Sequence, residues 1–120
     1  MSKVKILSEK ILLNNFYSNK FINYSNSLTD VAKKNKGFIS SKSYFVDNIN
    51  LHKINDDPIK IITISEWKNS DAWNKWKNSQ DRKNVSESFK DLERTEEFKI
   101  LYDRTINDIF LRFWGFGVLG

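Results

Sequence analysis

The stretch that decides the fold is Ile59-Lys60-Ile61-Ile62-Thr63-Ile64-Ser65-Glu66-Trp67, followed at once by Lys68-Asn69-Ser70-Asp71-Ala72-Trp73-Asn74-Lys75-Trp76. Ile59, Ile61, Ile62 and Ile64 are β-branched and fall on both faces of an extended strand, so this strand needs cover on each side. Asn69 is a good helix N-cap and Asp71 complements the helix dipole in the first turn. Ala72, Trp73 and Trp76 then share one face of the helix that follows. The unit is a strand that turns directly into a helix with an aromatic face.

Upstream, Asp47 to Pro58 is a polar connection holding the single proline and the single histidine, His52. Before it, Phe38 to Val46 reads as a strand rich in aromatic and β-branched residues. Tyr17, Phe21, Tyr24, Leu28 and Val31 recur at alternating spacings of four and three, the stripe of a helix facing a core. This helix is expected to start at Asn14 or Asn15 and to run through the lysines at 33, 34 and 36. Gly37, which adopts positive φ without steric cost, is expected to end it. Val4 to Leu13 reads as the first strand. Downstream, Ser79 to Leu92 is polar with a short irregular helix, and Glu97 to Asp103 alternates as a fourth strand around Phe98, Ile100 and Tyr102.

The order β-α-β-β-α-β predicts an α+β, ferredoxin-like domain over residues 1–104, with four antiparallel strands and the helices on one face. Ile106, Ile109, Phe110, Phe113 and Trp114 then follow helical spacing. Residues 105–120 are therefore read as an amphipathic aromatic extension of the same domain, covering a pocket mouth or a dimer partner. Membrane contact through this tail is not expected.

A chain of 120 residues with 39% apolar and 14% aromatic composition can bury a core as one domain. It has no cysteine, so disulfides, thiol nucleophiles and cysteine zinc sites are excluded, and one histidine gives no preorganised metal site. The net charge of +5 is spread over unclustered lysines, so no nucleic-acid partner is expected. The N-terminal stretch carries charges within its apolar residues and lacks a cleavage signature, and no segment has transmembrane length, so a cytoplasmic location is expected. Helices on one face leave the other apolar face open. A homodimer that joins two such faces is the economical solution, and the cavity between each protomer's helices and sheet becomes the small-molecule site.

Gly37-Phe38 opening the second strand, and Glu66-Trp67-Lys68-Asn69-Ser70-Asp71-Ala72-Trp73-Asn74-Lys75-Trp76-Lys77-Asn78-Ser79 joining the third strand to the next helix, resemble the antibiotic-biosynthesis monooxygenase family. The family pattern there is Glu-x-Trp, a small capping residue, Ala-aromatic, a second aromatic and a closing Ser. The resemblance covers about Val4 to Asp103. It implies a dimeric α/β barrel and the oxygenation of electron-rich aromatic substrates by O₂ without metal or flavin, so no cofactor is expected. A related branch degrades haem with an Asn on the first strand, a Trp on the second helix and an axial His. Trp76 matches the Trp, but Ser86 stands at the His position and Glu9 near the Asn position, which disfavours haem.

Within this frame the substrate is hydrophobic and planar, and Trp76, Trp73, Tyr24 and Phe21 are its candidate binding residues. Glu9 is the candidate general base if burial raises its pKa. Tyr44, like Tyr24, is a candidate hydroxyl for a developing oxyanion. Asp91, Glu93, Glu96 and Glu97 read as a solvated acidic face. The competing function is a non-catalytic small-molecule-binding or stress-associated dimer that keeps the fold without the chemistry.

Overall fold

Residues 3–13, 17–46 and 59–102 are described by the computed structural model. They form β1 (Val4–Leu12), α1 (Ser18–Ala32), β2 (Phe38–Val46), β3 (Ile59–Trp67), α2 (Ser70–Lys77), α3 (Gln80–Ser88) and β4 (Arg94–Leu101). The strands make one antiparallel sheet in the order β2-β3-β1-β4. Each helical crossover skips the strand lying between its two ends, which is the split βαβ arrangement expected from the sequence. The 47–58 connection, with His52, and the 105–120 extension lie outside the described residues.

Strand alternation decides what faces the helices. On β1 the buried side is Ile6, Ser8, Lys10 and Leu12, and on β3 it includes Ile61, Thr63 and Trp67. These meet Phe21, Tyr24, Leu28 and Ala32 of α1, Trp73 and Trp76 of α2, and Leu92. Trp67, Tyr24, Phe21, Ile6 and Leu12 are the largest side chains fully removed from water, each stabilising the fold by roughly 1.5–3 kcal/mol. Leu7, Ile11, Ile62 and Ile64 point to the opposite, helix-free face and are half-buried there.

Four local expectations are corrected. The α1 helix stops at Ala32, before the lysines. The amides of Lys34 and Asn35 bond back to Val31 and Ala32 carbonyls, and Asn35 Nδ2 donates to the same two oxygens at 3.2 and 3.1 Å. The Asn35 side chain thus competes with continuation of the helix. At the other end Tyr17 is the N-cap residue and is 48% exposed, so the inward stripe begins at Phe21.

Gly37 does not terminate the helix and does not occupy the positive-φ region. It is required by proximity, because a Cβ there would lie 2.2 Å from Ala72 Cβ. The Gly37 carbonyl accepts from Lys68 N at 2.7 Å, drawing the start of β2 against the β3–α2 junction.

The last strand begins at Arg94 rather than Glu97. Its first inward residues, Arg94 and Glu96, are charged, so a search for apolar alternation starts too late. As the sequence suggested, Asn69 caps α2, accepting from Ala72 N at 2.9 Å. Ser79 caps α3, accepting from Arg82 N at 3.2 Å.

Candidate functional site

Between the helices and the sheet lies a small, half-open cavity of about 50 Å³. Its apolar wall is aromatic. The Trp67 and Trp76 rings stack at 6.4 Å with 18° between planes, Phe38 meets Trp67 edge-on at 5.4 Å, and Trp73 meets Phe98 edge-on at 5.6 Å. The order β3–cap–α2 produces this wall, since Trp67 ends the strand and Asn69 fixes the turn that returns Trp73 and Trp76 over it. Trp67 Nε1 donates to Ser65 Oγ at 2.9 Å, which satisfies the buried indole.

The remaining wall is polar and charged, with Ser8, Lys10, Thr63, Ser65, Arg82 and Glu96. The strand register pairs Lys10 with Glu96. Glu96 Oε2 accepts from Arg82 Nη2 at 2.8 Å, while Oε1 accepts from the Tyr24 hydroxyl and faces Arg94 Nε at 3.5 Å. The Arg94 guanidinium lies 4.2 Å from the Tyr24 ring centre. It also holds the Phe89 and Leu92 carbonyls at 2.6 and 3.0 Å and the Ser86 carbonyl at 3.2 Å, tying off the end of α3. Burial, reinforced by the Glu96 carboxylate, pushes the Tyr24 phenol up to about 12.

Lys10 is the exceptional member of this group. It is 5% exposed and, among the described residues, its Nζ donates only to Ser8 Oγ, at 2.9 Å. Burial pulls its ammonium down from 10.5 to about 8; Glu96 opposes that shift and Arg82 adds to it. Lys10, Arg82 and Arg94 therefore surround a single carboxylate.

The structure brings together only part of the expected residue set. Trp73 and Trp76 line the cavity. Phe21 and Tyr24 are fully buried in the core beside it, and Tyr24 reaches the site only through Glu96. Glu9 and Tyr44 lie on the opposite face of the sheet. Glu9 sits between Lys60 at 3.9 Å and Lys99 at 3.7 Å, while Tyr44 is 46% exposed beneath the Lys42 ammonium.

Glu96 is not part of a solvated acidic face, because it is the carboxylate at the centre of the buried cluster. Ser86 Oγ accepts from Arg94 Nη2 at 3.0 Å and does not line the cavity. Sequence reasoning missed Lys10, Arg82 and Arg94. For Lys10 and Arg94 the available signal was phase, since Ser8 and Lys10 alternate in step with Ile6 and Leu12, while Arg94 and Glu96 alternate in step with Phe98.

No family model matches the chain, and no curated protein does. Solved structures do match. The cofactor-independent oxygenase SnoaB from Streptomyces nogalater superposes with a TM-score of 0.65 at 12% identity, over 88% of this chain and 96% of its own. A conserved protein from Methanosarcina mazei Go1 gives 0.63 at 18%, over 87% and 95%. A structure described as an antibiotic biosynthesis monooxygenase gives 0.65 at 10%, over 85% and 99%. At these identities the likeness is one of architecture: the chain has the fold of the antibiotic-biosynthesis monooxygenases.

Proposed function

We propose that the chain works as a cytoplasmic homodimer whose cavity binds a hydrophobic, planar small molecule and oxygenates it without a cofactor. The observation that carries this reading is the aromatic wall of Trp67, Trp73 and Trp76 sharing one pocket with a charged wall. Flat apolar rings stack on the first wall, and the second orients and polarises an oxygen substituent. The reaction that suits such a site starts with loss of a proton from an activated aromatic. The resulting phenolate or carbanion reduces O₂, and a ring CH₂ becomes C=O as the second oxygen atom leaves as water. The similarity to a cofactor-independent oxygenase supports this class of chemistry.

The helix-free face of the sheet supports the dimer. Leu7 pairs with Ile64 across β1 and β3 at its centre, with Ile11 and Ile62 adjoining. Such a stripe is the material of an isologous contact.

A binding-only dimer is the second reading, and a specific observation favours it: Glu9 and Tyr44, the carboxylate and hydroxyl suited to proton abstraction and oxyanion support, lie on the face away from the cavity. Oxygen uptake by the metal-free protein, tested with a panel of quinols and anthrones, separates the two readings. Substrate-dependent uptake with quinone formation is expected. Saturable binding without uptake across the panel leaves the binding-only dimer.

A further inference from the structure

We infer that the cavity selects an anionic ligand, a planar aromatic bearing a carboxylate or an ionised phenolic oxygen, and that the Lys10 ammonium is the group that holds the anion. This inference rests on the cavity being the small-molecule site and adds the charge of what enters it.

Three observations combine. An ammonium has three donors, and Lys10 uses one of them, toward Ser8 Oγ. The side chain is removed from solvent and lines the same pocket as the tryptophans, which leaves its two other donors to a ligand bound there. The neighbouring carboxylate is already committed: Glu96 takes the Tyr24 hydroxyl and Arg94 on one oxygen and Arg82 on the other. Arg94 in turn is occupied by the carbonyls at the end of α3, and the Arg82 guanidinium lies over the Phe98 ring at 5.2 Å. The local charge is therefore unbalanced toward positive, at a side chain that burial has largely desolvated. An anionic oxygen supplies the missing charge and the missing acceptors, and a charge-assisted hydrogen bond is strong there.

The groups that face Lys10 from the packed elements set its pH response. Glu96 of β4 and Arg82 of α3 act on it directly, Tyr24 of α1 and Arg94 of β4 bear on it through Glu96, and Ser8 lies on its own strand. Tyr24 holds its proton to about pH 12. Lys10 is thus the member that changes charge between neutral and moderately alkaline pH.

The test compares 2-naphthoate with the uncharged isostere 2-naphthamide by calorimetric titration of the full chain. At pH 7 naphthoate is expected to bind at least about ten-fold more tightly, the factor that about 1.4 kcal/mol confers. The preference should shrink when the wild-type protein is titrated at pH 10, with naphthamide affinity unchanged. In Lys10→Met the preference should disappear through loss of naphthoate binding alone. If naphthamide binds as tightly as naphthoate, the anion preference is wrong and the aromatic cavity stands. If neither binds, the cavity reading falls with it. A preference that survives both pH 10 and Lys10→Met removes Lys10 from the role. The pH series needs no variant, so it decides even if Lys10→Met does not fold.

Discussion

At Lys10 an ammonium has lost most of its hydration and keeps one neutral hydrogen bond. Its pKa near 8 in the fold, against 10.5 for the free side chain, fixes the sign of the pH effect. Between these values the unfolded chain binds the proton and the folded one does not, so stability rises with pH from about 8 to 10.5. Tyr24 acts in the opposite sense, holding its proton to about 12, so its contribution is lost as pH rises from about 10 to 12. In Lys10→Met the first effect is absent. Its unfolding free energy in urea, relative to wild type, should be most favourable at pH 7 and should decline by about 3 kcal/mol toward pH 10.5. A difference that stays flat across that range means the wild-type ammonium is not desolvated. A charge retained at such a cost fits a binding role better than a structural one. None of this was legible from composition, where one lysine among many is unremarkable. It became legible only when Ser8 and Lys10 were set in phase with Ile6 and Leu12.

The elements were legible where one physical signal dominates. β2 and β3 carry dense β-branched and aromatic residues, and α2 has its cap and aromatic face, so their positions follow from the sequence. The errors fall where local chemistry competes with pattern, as at Asn35, which closes α1 with its own amide, and at Arg94, which begins a strand with an inward charge. Gly37 belongs to the same class, because its need comes from Ala72, which is distant in sequence. Adding a methyl group there forces β2 and α2 apart at the point where Lys68 N bonds the Gly37 carbonyl. Gly37→Ala should therefore lose about 1–3 kcal/mol of stability in urea unfolding, although the substitution would favour the folded chain elsewhere. The paired change Gly37→Ala with Ala72→Gly should recover much of the loss, apart from the helix-propensity cost of about 1 kcal/mol at position 72. Failure to recover would place the strain somewhere other than this contact.

For the whole molecule, the sheet separates two tasks. One face carries the cavity and its buried charges, and the other presents Leu7, Ile11, Ile62 and Ile64 among Glu9, Lys60 and Lys99. If the second face joins two copies, a charge at its centre is buried twice in an isologous contact, once from each protomer. Ile64→Lys should then raise the dimer dissociation constant by at least about a hundred-fold, since an unpaired buried charge costs about 3–5 kcal/mol. Sedimentation velocity at micromolar concentration checks this, with circular dichroism showing that the fold is kept. A wild-type monomer at that concentration defeats the dimer, and a dimer that survives Ile64→Lys has its contact elsewhere. The same variant then asks a question of the site. Ile64 points away from the cavity, so a monomer that still prefers naphthoate shows that one protomer holds the complete charged wall, whereas loss of that preference shows that the second copy shapes it.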